Sequence, residues 1–109
     1  MAIHELKIFS EYFNEVRLGL KKAEFRRDVD RRFHVGDVVK LIEIKRCSCH
    51  ENTNLPVAHE CRITGNVITC LITSVVVVND VYEEFTYPGM PTFVMFSFYI
   101  TGMELSHHE

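Results

Sequence analysis

Lys21, Glu24 and Arg26 set an ammonium, a carboxylate and a guanidinium within six residues of chain. Such groups together suit a polar, anionic ligand. Arg grips a phosphate or carboxylate through paired donors, Lys adds a compact charge, and Glu accepts hydrogen bonds from an amine such as a base edge. Residues 22–27 alternate with period two, which puts Lys22, Glu24 and Arg26 on one side of a strand and Ala23 and Phe25 on the other. One side is then core and the other carries chemistry. Gly19, just upstream, can end a helix in a tight turn that sets Lys21 beside this strand. A competing reading has Glu24 and Arg26 pair with each other, or with Asp37 and Lys7, to satisfy a buried polar patch.

A second group of chemically capable residues is Cys47-Ser48-Cys49-His50 with His59-Glu60-Cys61. In a hairpin bent between His50 and Ala58, Cys49 lies across from His59 and Cys47 across from Cys61. Thiolates and imidazole on one face form the ligand set that tetrahedral zinc prefers, so Cys47, Cys49, His59 and Cys61 are candidates for a structural zinc site. The C-x-C and H-x-C spacing differs from the common C-x₂-C knuckle, leaving open a Cys47–Cys61 disulfide or free thiols. Cys70 stands in an apolar run and is expected in the core. His107-His108 is too short and terminal for a metal site.

Charge narrows the functional classes. The chain carries a net −3, which argues against wrapping long nucleic acid by bulk electrostatics. Yet residues 17–46 hold ten of the twelve Lys and Arg against five acids, a local +5 that leaves −8 elsewhere. That asymmetry favours a local anion site. No apolar stretch reaches the length of a membrane span, and the N-terminus has no signal-peptide pattern, so no membrane association is expected. Four clustered cysteines in 109 residues fit a reducing, cytoplasmic setting.

These residues need elements to position them. With 47% hydrophobic and 25% charged residues, 109 residues make one globular domain over 1–109. Residues 4–9 alternate as a first strand. Ser10 can cap a helix over 11–18: Tyr12, Phe13 and Val16, with Leu20 just past its end, recur at helical spacing. Strands follow at 22–27 and 38–44, then the polar stretch 45–62 reads as an inserted loop or hairpin. Residues 67–78 form the clearest strand, with many β-branched side chains, and 81–87 a helical turn or loop. Pro88-Gly89-Met90-Pro91 is a turn, 93–100 a last aromatic-rich strand with core rings, and 103–109 a tail expected to fray. One N-terminal helix and about five strands predict an α+β fold built on a curved, partly closed β-barrel.

The run Gly19-Leu20-Lys21-Lys22-Ala23-Glu24-Phe25-Arg26 matches the G-x-K-x-x-E-x-R signature of ASCH domains, flanked by HELKIFSEYF before and FHVGD after. The chain thus resembles the ASCH domains of the PUA-like superfamily, most closely over residues 4–44, in a family of small uncharacterised proteins of bacteria and phages. The resemblance implies a PUA-like fold, and RNA or a nucleotide-like ligand as partner. It implies ligand-binding roles for Lys7, Gly19, Lys21, Glu24, Arg26 and Arg27. The alternative is a hydrolase acting on RNA or a modified nucleoside, with Glu24 as general base, Lys21 and Arg26 stabilising the developing anion, and His4 as acid. The amidohydrolase group within ASCH places a threonine nucleophile where this chain has Glu24, and only Glu83 or Glu84 could stand for its later glutamate. A carboxylate does not replace that hydroxyl in an acyl-enzyme. Binding is the preferred expectation. A third reading leaves the site idle and assigns a protein partner to the insertion at 45–62.

Overall fold

The computed structural model describes residues 1–28, 32–46, 62–81 and 89–106. In chain order the elements are β1 (Ile3–Phe9), α1 (Ser10–Arg17), β2 (Ala23–Arg27), β3 (Val38–Lys45), β4 (Arg62–Val77), α2 (Val78–Val81) and β5 (Phe93–Glu104). Among the described residues the architecture is mostly β, with two short helices set against one five-stranded sheet, compatible with the partly closed barrel expected from the sequence. Strand order is β1-β3-β4-β5-β2; β1 pairs with β3 in parallel and every other pair is antiparallel. Among the described residues, no helix is long and apolar enough to cross a membrane.

The two edge strands, β1 and β2, nevertheless meet. Arg26 on β2 donates from Nη2 to the carbonyl oxygen of Lys7 on β1 at 3.2 Å. In a flat five-stranded sheet those edges would stand about 19 Å apart. The sheet is therefore curled into a half-barrel whose open seam runs between β1 and β2. Bulges drive the curl: the register shifts between Ile42 and Ile44, between Thr69 and Cys70, and between Ile72 and Ser74.

The concave face holds the core. Leu6 and Ile8 of β1, Val39 and Leu41 of β3, Ile68, Cys70 and Ile72 of β4, and Val94, Phe96 and Phe98 of β5 are buried together. Each contributes on the order of 1.5–3 kcal/mol by leaving water. Phe13 and Val16 of α1 close the mouth at the end of β1. Phe33 closes the opposite mouth, its ring 4.9 Å from that of Phe96 and 4.6 Å from that of His4.

Several boundaries differ from the sequence-based expectation. Ser10 is the first helical residue rather than the cap: Phe9 takes the cap position, and the Ser10 hydroxyl donates to the Ile44 carbonyl. β4 starts at Arg62, five residues early, because Ile63 and Arg62 pair with Ile44 and Lys45 beyond a bulge that takes in Gly65. β5 extends to Glu104, so Met103 and Glu104 are paired strand rather than frayed tail, and the Ser106 amide donates to Asn66 Oδ1. The side chain of Asn79 in α2 ties this helix to β5, accepting from the Phe93 amide and donating to the Pro91 carbonyl.

Candidate functional site

Lys21 is delivered by the way α1 ends. Gly19 takes φ +78°, its amide donates to the Val16 carbonyl, and the Leu20 amide donates to the Glu15 carbonyl at 2.8 Å. This double bond pattern is a Schellman motif, which requires a left-handed residue that glycine adopts without strain. The Lys21 amide also donates to Glu15 at 3.1 Å, so the residue is fixed to the helix end before its side chain reaches β2.

On β2 the alternation is real, but its sides are reversed. Glu24 and Arg26 face the concave interior, whereas Phe25 is 47% exposed and stacks on Phe93 across the convex face, centroids 5.3 Å apart. Glu24 tolerates burial because each oxygen has its own cation. Lys21 Nζ stands 3.0 Å from Oε1, and Arg26 Nε donates to Oε2 at 2.8 Å. Lys21 Nζ also donates to the Ala23 carbonyl at 2.6 Å. The Glu24 side chain is 7% exposed, against 27% for Lys21 and 29% for Arg26. Two cations thus screen one carboxylate from above, and the cluster keeps a single excess positive charge.

These groups border a hollow of about 330 Å³ in the seam. β1 supplies Lys7, Ile8 and Phe9, α1 supplies Tyr12, and the opposite wall is Lys21 with Glu24, Phe25 and Arg26. At Phe9 the wall is braced from outside: the Arg46 guanidinium lies 3.9 Å from the ring centroid and pairs with Glu11 at 3.0 Å. Sequence reasoning found the polar half of the hollow and missed Ile8, Phe9 and Tyr12. Tyr12 reads as core by helical spacing, but it is 47% exposed and turned to the seam.

The other expected residues are placed as follows. Lys7 lines the hollow, and its carbonyl anchors Arg26. Gly19 serves the turn and borders a neighbouring cavity. Arg27, unlike Arg26, lies on the convex side, where alternation puts it with Phe25, and it does not line the hollow. His4 is also absent from that lining. It is buried at the far end of β1, its Nε2 2.9 Å from Asp37 Oδ2 and its ring against Phe33. Cys47, Cys49, His50, His59, Cys61, Glu83 and Glu84 lie outside the described residues. Among the described residues, no group of three or more His, Cys, Asp or Glu side chains could hold a metal ion.

Two further buried carboxylates anchor the scaffold. Burial alone would raise the Asp37 pKa, but hydrogen bonds from His4 and from the Ala2 and His34 amides, with the His4 charge, outweigh it and hold the carboxyl below its ordinary 3.8. Opposite the bulge of β4, burial would likewise raise Glu43, yet Thr64, Asn66 and Ser10, helped by Lys45, bring it below 4.5. An acid inside the apolar run Leu41-Ile42-Glu43-Ile44 was the available signal for that bulge.

Compared with known families, residues 3–87 match the model of a domain of unknown function, DUF3850. The chain belongs to that family. The match takes in β1 to β4 and, with them, both walls of the seam hollow. Among curated proteins, none matches this DUF3850 chain.

Proposed function

We propose that this DUF3850 protein is an ASCH-type, PUA-like module of the cytoplasm that binds RNA or a nucleotide-like ligand in the seam between β1 and β2. The observation that carries the reading is the hollow itself, where a cluster of two cations on one carboxylate faces the aromatic side chains Phe9 and Tyr12. A base has apolar faces to set against the rings, and a phosphate has charge to set against Lys21 and Arg26. The G-x-K-x-x-E-x-R resemblance supports the same ligand class. Binding is favoured over hydrolysis because both Glu24 oxygens are engaged by cations, which suits a fixed acceptor better than a general base. The described lining residues also include no serine, threonine, cysteine or histidine.

Fluorescence anisotropy with a labelled six-nucleotide single-stranded RNA tests the proposal. Lys21→Ala and Arg26→Ala are each expected to weaken binding about tenfold or more, as for loss of a charge-assisted hydrogen bond. Arg27→Ala, on the convex face, serves as the control and should bind within about twofold of the parent. A slope of log Kd against log salt of about 0.7 to 1.4 is expected for a single strand with one or two phosphates held by the site. Equal affinity in the parent and both cleft variants would overturn the reading.

A further inference from the structure

The concave face of the sheet changes character along the β3–β4 ladder. Leu41 and Ile68 lie opposite each other in the core. Two residues further along β3, Glu43 is buried, and its Oε1 accepts from Thr64 Oγ1 at 2.7 Å and from Asn66 Nδ2 at 2.8 Å. At the end of the ladder Lys45 and Arg62 pair directly, so both side chains leave the sheet on one face. The period of two from Leu41 through Glu43 to Lys45 makes it the concave face. Glu43, Lys45, Arg62, Thr64 and Asn66, with Ser106 of the tail, border a hollow of about 500 Å³ that shares no residue with the seam hollow. Two cations set directly opposite on neighbouring strands repel. Lys21 and Arg26 are matched by Glu24, and Arg46 by Glu11, but among the described residues Lys45 and Arg62 enter no ion pair. Even counting the charge of Glu43, two cations against one carboxylate leave a positive charge over.

We propose that this hollow is a second anion site, in which a phosphate group is held between the Lys45 ammonium and the Arg62 guanidinium. A phosphate presents oxygens on several sides at once, so a compact ammonium and a planar fork can approach it from facing strands. Its charge replaces the repulsion of the two cations by attraction. The hollow has the volume of a small-molecule site and exceeds a bare phosphate, so the group is carried by a larger molecule, a small phosphomonoester or a nucleic-acid strand. The floor is fixed in advance. The Asn66 amide donates to Thr64 Oγ1 at 3.1 Å, the Ser106 amide donates to Asn66 Oδ1, and both side chains sheathe the buried Glu43 oxygen that would otherwise face the anion. Gly65, at φ +95°, gives β4 the bulge that sets Thr64 and Asn66 together against Glu43. The site stands apart from the nucleotide reading of the seam and does not rest on it.

Titration of the full chain with inorganic phosphate at constant ionic strength, followed by ¹H–¹⁵N correlation spectra, is the test. Saturable shifts should centre on the amides of Lys45, Arg62 and Thr64. Lys45→Gln and Arg62→Gln, at exposed positions, should each weaken phosphate about tenfold, as for loss of one charge-assisted hydrogen bond, while Lys21→Ala in the seam should leave it within about twofold. Without phosphate, the unfolding midpoints of the two Gln variants should equal or exceed the parent's, because each change relieves the repulsion. Glycerol phosphate and a six-nucleotide RNA lacking terminal phosphates then identify the carrier: the one that binds more tightly to the parent, and loses that affinity in Lys45→Gln. Shifts that never saturate, or phosphate affinity unchanged in both Gln variants, would overturn the inference whatever the seam binds. So would midpoints lowered in both variants, since the two cations would then be matched within the protein itself.

Discussion

Cys70 shows how far a residue's chemistry is set by its surroundings. Its thiol is pushed up to about 12, by burial first and by the charge of Glu24 second, and the side chain has no exposure. Native protein treated with iodoacetamide near neutral pH is expected to show no alkylation at Cys70 by peptide mapping, while protein unfolded in guanidinium reacts fully. Asp37 gives a prediction in pH. Its native pKa is depressed, so its contribution to stability is complete above the unfolded value of about 3.8 and is lost as pH falls through the lower native one. Denaturation midpoints should therefore fall with acidification below about pH 4, and Asp37→Asn should lower stability near neutral pH by about 1–3 kcal/mol while flattening that acid limb. An acid limb as steep in Asp37→Asn as in the parent would show that the carboxylate is not held as described. At this scale the sequence was partly legible. Period two on β2 grouped Glu24 with Arg26 correctly, but alternation alone does not say which group faces inward. Counting apolar side chains assigned Phe25 to the core, whereas the bond pairing of Glu24 with two cations made the polar side the buried one.

Elements were most legible where local chemistry dictates them. The glycine-ended helix was foreseen because a left-handed turn needs a residue without Cβ, and the β-branched run of β4 because such side chains suit a pleated surface. The extensions of β4 and β5 were not, since Arg62 and Ile63, and Gly102 to Glu104, are held as strand by long-range pairing that no local window contains. The Schellman turn yields a prediction that couples element to site. Gly19→Ala meets no steric obstacle in space but must hold φ near +78°, at a cost of about 1–2 kcal/mol for a residue with Cβ. Thermal unfolding followed by circular dichroism should report that loss. On the proposed reading RNA affinity should drop with it, because Leu20 and Lys21 take their position from the same Glu15 carbonyl. A variant with a lowered midpoint but parental RNA affinity would separate the turn from the placement of Lys21.

At the scale of the molecule, the site exists because a five-stranded sheet curls until its edges almost meet and then stops. No local pattern announces that gap; it follows from the order β1-β3-β4-β5-β2, which leaves the first two strands in sequence at opposite edges. Arg26 is the side chain that spans it, with Nε on Glu24 and Nη2 on the Lys7 carbonyl. A lysine at this position keeps the charge but has no planar fork to serve two acceptors on different strands. Arg26→Lys should therefore release the β1 edge, costing about 1–2 kcal/mol, which for a chain of this size lowers the unfolding midpoint by roughly 4–8 °C per kcal/mol. Arg27→Lys, outside the seam, should change the midpoint by no more than about 1 °C. Hydrogen exchange locates the effect: the β1 amides that pair with β3 should lose protection in Arg26→Lys, while those at the centre of β4 keep theirs. Unchanged protection along β1 would mean that the bulges alone hold the sheet in its curl, and that the arginine serves the ligand rather than the barrel.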